Sequence, residues 1–303
     1  MTRLYDGQII DPHHHLWDLR LDRHPWLAPT PGKEHSLGDL AALRRDYLVD
    51  DYLADSAGQN VVATVHVEAA WTEQDCLGET RWLETLDKQR GVASRYVAHV
   101  PLQSPDAAAL IAEQAGFERV VGIRDILSFH PTNPAKNFAP RDGIAYDKAW
   151  RADVQRLIGH GLTLELMMYP YQLDGVLDVA RAMPELQIIV NHCASPIDRD
   201  ADGMAHWREA VRALGREPNI ALKVSNVGGY DPQPTYESIR AVALYCIESF
   251  GISRSIFGTD WPVARLHTTY DAIWDEFRRI TADFSPADQS ALFHDNARRF
   301  YRL

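Results

Sequence analysis

The chain has 303 residues, 46% of them hydrophobic and 24% charged, which is typical of a soluble globular protein with a large core. The formal net charge of −11 disfavours binding to nucleic acid and to anionic membrane surfaces. No apolar run approaches the roughly 18 residues of a membrane span, and the N-terminus lacks the apolar core of a signal peptide. With three widely spaced cysteines and no Cys-x-x-Cys pair, the sequence predicts a cytoplasmic protein with reduced thiols.

Short runs rich in β-branched residues recur along the chain, and each is followed by a segment with helical periodicity. Eight runs are predicted to be strands: 8–15, 61–69, 95–102, 120–127, 163–169, 187–193, 219–224 and 255–260. Strands that alternate with helices form a parallel sheet, and eight of them can close into a barrel. The alternative, an open doubly wound sheet, lacks its Gly-x-Gly-x-x-Gly turn here. We therefore predict an α/β fold, a (β/α)8 TIM-type barrel that spans residues 1–303 as a single domain.

Helices are predicted at 78–89, 107–114, 146–160, 171–182, 203–215, 235–250 and 270–282, and a last helix runs from Ser285 to about Phe300. Two longer segments follow predicted strand ends. Residues 18–58 include a predicted helical stretch at 37–57, and residues 129–143 are rich in proline. Loops at the C-terminal ends of barrel strands build the active sites of such folds, so both segments are expected to border a site.

The first predicted strand ends in Asp11-Pro12-His13-His14-His15. Because side chains on a strand alternate between faces, His13 and His15 are expected on one face and His14 on the other. Asp11 is expected on the face of His13, one position deeper. Two imidazoles about 6–7 Å apart along a strand can converge on one metal ion. The alternative is a histidine-rich strand end that makes ordinary hydrogen bonds.

Two further strand ends carry polar residues that β-structure does not favour: His192 ends the sixth predicted strand and Asp260 the eighth. Taken singly, His192 is explained by a hydrogen bond in the core, and Asp260 by capping of the turn at Pro262. Together with His13 and His15, they predict one shared site at the C-terminal mouth of the barrel.

Other residues near strand ends are candidates for substrate binding. Arg124 and Lys223 are the nearest cations, and a guanidinium can hold a carboxylate through two hydrogen bonds. Lys223 has a structural alternative, as the partner of a carboxylate inside the barrel. Three side chains are expected to line the pocket, with packing as their alternative role: His130, Tyr169 and Trp261.

The sequence resembles the amidohydrolase superfamily, within its amidohydrolase-2 branch, which contains sugar-acid and dicarboxylate lactonases. The resemblance covers nearly the whole chain. It rests on Asp11-Pro12-His13-His14-His15-Leu16-Trp17-Asp18, Val67-Glu68-Ala69, Gly78-Glu79-Thr80-Arg81-Trp82-Leu83, Gly122-Ile123-Arg124, Val190-Asn191-His192-Cys193, Phe257-Gly258-Thr259-Asp260-Trp261-Pro262 and Asn296-Ala297-Arg298-Arg299-Phe300-Tyr301. The resemblance implies that His13, His15 and Asp260 surround the reacting water, usually with a divalent metal.

The chain departs from the superfamily's binuclear pattern at two strands. The fourth strand offers Arg124 and Asp125 where a bridging lysine is expected, and the fifth, 163–169, has no histidine. The resemblance therefore implies one Zn²⁺ ion or none. If one is bound, the expected ligands are His13, His15, His192 and Asp260, with Glu68 as a further candidate. The alternative for Glu68 is an ion pair with a neighbouring arginine.

The resemblance implies a hydrolase that opens a lactone, in particular a sugar-acid lactone such as an aldonolactone. Asp260 and His192 are the expected catalytic residues: Asp260 activates water, and His192 or the metal stabilises the oxyanion. Two alternative reactions are non-oxidative decarboxylation and metal-free hydrolysis of a dicarboxylate lactone. A binding or scaffold protein without catalysis would have lost these mouth residues. The expected partners are a small-molecule substrate and further copies of the chain in a homo-oligomer.

Overall fold

The computed structural model describes residues 4–29, 37–88 and 90–303. Eight strands form one sheet in the order β1 to β8, and every neighbouring pair is parallel. The strands are β1 Ile9–His14, β2 Val61–Val67, β3 Arg95–His99, β4 Val120–Ile126, β5 Thr163–Met167, β6 Ile188–Val190, β7 Ile220–Val224 and β8 Ser255–Phe257. This arrangement confirms the predicted (β/α)8 barrel.

The barrel closes between its first strand and the segment that follows its last strand. The Asp260 N–H donates to the His13 carbonyl at 2.8 Å, and the His15 N–H donates to the Trp261 carbonyl at 2.8 Å. His14 forms a parallel bridge with Trp261. The histidine segment of β1 and the segment after β8 therefore meet where the barrel closes, which brings Asp260 beside His13 and His15.

Helices lie between successive strands, as the periodicity predicts. They are α1 Val49–Asp55, α2 Cys76–Glu84, α3 Ala107–Ala115, α4 Lys148–Gly159, α5 Leu173–Ala182, α6 Ala201–Gly215, α7 Tyr236–Phe250, α8 Tyr270–Ile280, α9 Pro286–Ser290 and α10 Asn296–Tyr301. A π-helical turn, Ala291–Asp295, joins the last two. The predicted helix 78–89 starts two residues earlier and ends at Glu84, and its last predicted residue lies outside the described part of the chain. No helix within the described ranges is long and apolar enough to span a membrane.

The helical stretch predicted at 37–57 is wrong for most of its length. A short 3-10 turn occupies Ala41–Leu43, and an α-helix forms only at Val49–Asp55. Between them, Tyr47 pairs with Trp17 in an antiparallel bridge, with both backbone N–H···O distances at 2.9 Å. This bridge requires an extended backbone, so the tertiary contact overrides the helical pattern.

The expected placement of Asp11 beside His13 and His15 is also wrong. The pairing of β1 with β2 shifts register between Asp11 and His14, and an irregularity of this kind reverses the alternation of side chains. Ile10 packs inside the barrel, whereas Asp11 accepts hydrogen bonds from Tyr52 of α1 at 2.9 Å and from the Thr259 hydroxyl at 2.6 Å. Asp11 therefore ties the strand to α1 and to the segment that follows β8.

The barrel interior is filled by side chains rather than left as a pore. One cluster of buried residues occupies it: Ile10, Val65, Val67, Val97, Val121, Ile189, Ala221, Ile256, Ala297 and Tyr301. The larger cluster lies between the strands and the helices. In a barrel filled in this way, ligands bind at the C-terminal mouth.

Candidate active site

Three imidazoles surround one carboxylate oxygen at the mouth of the barrel. Asp260 Oδ1 lies 3.1 Å from His15 Nε2, 3.3 Å from His13 Nε2 and 3.8 Å from His192 Nε2. All four residues are buried. The structure thus brings together the four residues that the strand ends predict.

His15 is oriented by its second ring nitrogen. Its Nδ1 lies 2.8 Å from the Val67 carbonyl oxygen, which only accepts, so Nδ1 carries a hydrogen. Its Nε2 lies 3.1 Å from Asp260 Oδ1, within hydrogen-bonding distance. A proton or a metal ion can therefore lie between these two atoms.

His192 lies in an unusual turn after β6. Four consecutive residues, His192 to Ser195, have positive φ angles of 53°, 56°, 55° and 45°, and Asp260 has a φ of 61°. This left-handed backbone is strained for residues other than glycine and is often found at functional sites. His192 Nδ1 lies 3.0 Å from the Ser225 hydroxyl. Burial lowers the pKa of His192 to about 4 although Asp260 opposes the shift, so the ring is neutral at pH 7.

Asp260 remains ionised in this surrounding. Burial alone would raise its pKa, but the neighbouring His192 and the hydrogen bond with His15 bring the pKa below its ordinary value. A carboxylate that is ionised at neutral pH can accept a proton or bind a cation.

Three of these residues form a group that could hold a metal ion. The ligand atoms of His13, His15 and Asp260 all lie within 4.8 Å of one another. The buried Nε2 of His13 has no hydrogen-bond partner among the described residues. Two imidazole nitrogens and one carboxylate oxygen are a donor set that Zn²⁺ accepts, so the group fits one zinc ion. Neither His192 nor Glu68 belongs to it within the described ranges.

Glu68 instead pairs with Arg124. The Arg124 Nε donates to Glu68 Oε1 at 2.6 Å, and its Nη2 donates to the Glu68 carbonyl at 2.8 Å. Burial alone would raise the pKa of Glu68, but the guanidinium lowers it to about 2. Glu68 thus forms the ion pair with an arginine that was the alternative to metal binding. The pair neutralises the charge of Arg124.

Lys223 pairs with a carboxylate inside the barrel. Its Nζ donates to Glu165 Oε2 at 2.7 Å and lies 3.4 Å from His13 Nδ1. The same Glu165 accepts a hydrogen from the Tyr301 hydroxyl at 2.6 Å. Lys223 and Glu165 are fully buried. This arrangement matches the alternative in which Lys223 is the partner of a carboxylate inside the barrel. Lys223 also contacts the ring of His13 on its Nδ1 side.

The three aromatic candidates are held by neighbouring residues. His130 Nε2 lies 3.1 Å from Asp198 Oδ2, the Tyr169 hydroxyl donates to the Lys136 carbonyl at 2.7 Å, and Trp261 Nε1 donates to Asp55 Oδ2 at 2.9 Å. None of these three side chains, nor Lys223, is among the described residues that line the cavity at the mouth.

That cavity contains the predicted site and several residues that sequence reasoning missed. Its described lining includes His15, Arg124, His192 and Asp260. The missed residues lie at the ends of strands or in the loops that follow them and are Trp26, Leu37, Ala69, Ala70, Ile126, Phe138, Met167, Asn226, Tyr230 and Val263. Loop residues carry no periodic pattern. The sequence signal nearest to them is the Gly228-Gly229 pair after β7.

Known proteins are similar in sequence to nearly the whole chain. The chain is 37% identical to the uncharacterized protein y4mH of Sinorhizobium fredii, over 98% of this chain and 99% of that protein. It is 28% identical to an L-fucono-1,5-lactonase of Burkholderia ambifaria, over 97% of this chain and 95% of that protein.

A solved structure shares the fold. The crystal structure of an amidohydrolase from Burkholderia multivorans with bound zinc is similar, with a TM-score of 0.80 and 25% identity, over 98% of this chain and 100% of that chain. The family model described as Amidohydrolase matches residues 10–303. With this match across the barrel and its mouth, the chain belongs to the amidohydrolase family.

Proposed function

We propose that the protein hydrolyses a neutral sugar-acid lactone, with Asp260 as the base. The observation that carries this proposal is the position of Asp260 Oδ1, which lies within 3.8 Å of three imidazole nitrogens and borders the cavity. The similarity to a protein named L-fucono-1,5-lactonase supports hydrolysis of a cyclic ester.

The proposed reaction adds one water molecule across the ring ester. Asp260 accepts a proton from the water while the water oxygen bonds to the carbonyl carbon of the lactone. His192 stabilises the oxyanion by donating Nε2–H, the tautomer in which Nδ1 accepts from Ser225. The bond between the carbonyl carbon and the ring oxygen then breaks. The proton held by Asp260 passes to the departing alkoxide, and the product is an open-chain hydroxy acid.

A zinc ion would be held by His13, His15 and Asp260. When bound, it supplies a water of lowered pKa and polarises the substrate carbonyl. The other roles belong to the chain itself: Val67 orients His15, Ser225 orients His192, and Lys223 supports His13.

The charges around the cavity favour a neutral substrate. Arg124 is the only lysine or arginine among the described residues of the lining, and Glu68 neutralises it. Asp260 adds a negative charge. The side chains of the lining therefore offer no unpaired cation to a carboxylate on the substrate, whereas hydroxyl groups can still bind the guanidinium hydrogens that Glu68 does not use. This argument favours an aldonolactone over a dicarboxylate lactone.

A pH-indicator assay tests the proposal, because each lactone opened at neutral pH releases a proton. The substrates are lactones of six-carbon aldonic acids, a dicarboxylate lactone and, for the decarboxylase alternative, an aromatic hydroxy acid monitored for CO₂ release. We expect turnover of aldonolactones well above turnover of the dicarboxylate lactone. Release of CO₂ without lactone opening, or preference for the dicarboxylate, would overturn the proposal.

A further inference from the structure

The loop after β7 contributes two polar side chains to the cavity. Asn226 and Tyr230 line it together with His15, His192 and Asp260. The Gly229 N–H donates to the Asn226 carbonyl at 3.0 Å, which closes a tight turn, and Asn226 has a left-handed φ of 47°. The turn brings Tyr230 back to the cavity wall four residues after Asn226.

Tyr230 is placed as a hydrogen-bond donor. The Ser195 hydroxyl donates to the Tyr230 oxygen at 3.0 Å, so the phenolic hydrogen of Tyr230 remains available for a ligand. Burial raises the pKa of Tyr230 above its ordinary value, so the phenol keeps its hydrogen at neutral pH. Ser195 itself is held in the left-handed turn that contains His192.

Asn226 is placed as a hydrogen-bond acceptor. Its side chain is buried, with 7% of its surface exposed, and its Oδ1 has no hydrogen-bond partner among the described residues. A Cβ atom on Gly229 would lie 2.1 Å from this oxygen, so only glycine leaves room for the amide there. A buried amide oxygen without a partner destabilises the free protein, and a ligand that donates a hydrogen would remove this cost.

We propose, on the basis of the lactonase function above, that Tyr230 and Asn226 bind one and the same hydroxyl group of the lactone. The Tyr230 hydroxyl donates to the substrate oxygen, and Asn226 Oδ1 accepts the substrate hydrogen. A hydroxyl group both donates and accepts, whereas a carbonyl or an ether oxygen only accepts. The pair therefore selects hydroxylated lactones, and Ser195 is a positioning residue that acts through Tyr230.

The test combines substrate analogues with variants. For a six-carbon aldonolactone and its mono-deoxy counterparts, kcat/KM is measured in the natural protein, Tyr230→Phe and Asn226→Ala. We expect one deoxy compound to be a poorer substrate for the natural protein by roughly 10²-fold or more, because it leaves two polar groups unpaired. Both variants should lose most of this preference, mainly through a raised KM for the hydroxylated compound. Ser195→Ala should also lower the ratio of kcat/KM for the hydroxylated lactone to kcat/KM for the deoxy lactone, but by a smaller factor.

A matched control removes a hydroxyl outside the cavity. In Tyr171→Phe the lost group is an exposed hydroxyl that donates to Asp198 at 2.7 Å, so the preference should be unchanged. If Tyr230→Phe and Asn226→Ala lower kcat/KM equally for hydroxylated and deoxy lactones, hydroxyl recognition is overturned.

A binding measurement separates this inference from the proposed reaction. Calorimetry with Asp260→Asn, in which turnover is slowed, compares the affinities of the aldonolactone and of its deoxy counterpart. The inference is supported if Asp260→Asn binds the hydroxylated lactone more tightly than the deoxy lactone and the double variant Asp260→Asn, Tyr230→Phe does not. This holds even if the natural protein hydrolyses no lactone. Equal affinity for both compounds overturns it.

Discussion

Arg124 and Glu68 form a buried ion pair in the wall of the cavity, with the Arg124 Nε 2.6 Å from Glu68 Oε1. Glu68 follows β2, and Arg124 lies on β4. Arg124 lines the cavity, and the carboxylate of Glu68 balances the charge of its guanidinium. In the proposed function, Arg124 orients a polar substrate while Glu68 keeps the pair from attracting an anion.

Replacement of Arg124 by lysine tests the orienting role. Lysine keeps the charge but loses the planar fork, so two hydrogen bonds to Glu68 and the donors facing the cavity cannot all be preserved. We expect Arg124→Lys to raise KM for an aldonolactone about tenfold, with a smaller fall in kcat. Arg141→Lys, in an exposed ion pair with Asp147, is the control. An unchanged kcat/KM in Arg124→Lys would restrict Arg124 to a structural role.

Replacement of Glu68 by glutamine tests the charge balance. Glu68→Gln keeps the shape and one acceptor oxygen but leaves the Arg124 charge unpaired. We expect the ratio of kcat/KM for a dicarboxylate lactone to that for an aldonolactone to rise at least tenfold. Circular dichroism checks the fold, because an unpaired buried charge destabilises the protein. A ratio that stays constant in a folded variant would show that Glu68 does not set the charge preference.

Much of the fold and of the site follows from local patterns in the sequence. His13, His15, His192 and Asp260 end or follow apolar strands, and strands of a parallel barrel present these ends at one mouth. The pairing of Glu68 with Arg124 was one of two alternatives, because residues 56 positions apart are joined only by tertiary structure. Asn226 and Tyr230 were missed because a left-handed turn in a loop has no periodic pattern. Asp11 was misplaced because the irregularity in β1 has no clear sequence signal.

Metal binding is expected to depend on His15 and not on its neighbour His14. His14 faces away from the cavity, with its Nε2 2.8 Å from the Thr64 hydroxyl. After dialysis against zinc, elemental analysis should find about one zinc ion per chain in the natural protein and in His14→Asn, and much less in His15→Asn. Less than stoichiometric zinc in the natural protein, with full activity in a chelator, would favour metal-free hydrolysis with Asp260 as the base.

The stability of the protein should carry a pH dependence from Glu79. Burial, and then the charge of Glu68, raise the pKa of Glu79 from 4.5 to about 7. A carboxyl group with a raised pKa binds a proton on folding, so its stabilising contribution is present below pH 4.5 and is lost as the pH rises through 7. Glu79→Gln removes this titration and keeps an acceptor for the His66 ring and the Ala69 N–H.

Thermal unfolding of Glu79→Gln and the natural protein at pH 5 and pH 8 measures the effect. The difference in Tm between variant and natural protein should shift in favour of the variant by several degrees from pH 5 to pH 8, because each bound proton changes the unfolding free energy by about 1.4 kcal/mol per pH unit. The exposed Glu237→Gln should show no such shift. A difference in Tm that does not change with pH would mean that Glu79 is ionised in the folded protein at both values.

Asp260 is expected to be the base that takes the proton from the attacking water. Asp260→Asn preserves the shape and one acceptor oxygen, but an amide cannot accept this proton. Because a positioned base contributes about 10² to 10⁴ in rate, kcat should fall by at least that factor while the Tm stays close to the natural value. The matched control is Asp198→Asn, a carboxylate at the same mouth that binds Lys136 and His130 and is not among the described residues of the cavity lining.

The metal content of Asp260→Asn decides how its loss of activity is interpreted, because Asp260 also belongs to the metal group. If the variant lacks zinc, its activity is compared with that of the zinc-free natural protein, and a further fall of at least about tenfold assigns the proton transfer to Asp260 itself. If the variant holds zinc as before and kcat falls less than about tenfold, the role as base is wrong. The natural protein should also lose kcat/KM as the pH falls through the pKa of Asp260, which His192 and the hydrogen bond with His15 hold below its ordinary value against the effect of burial.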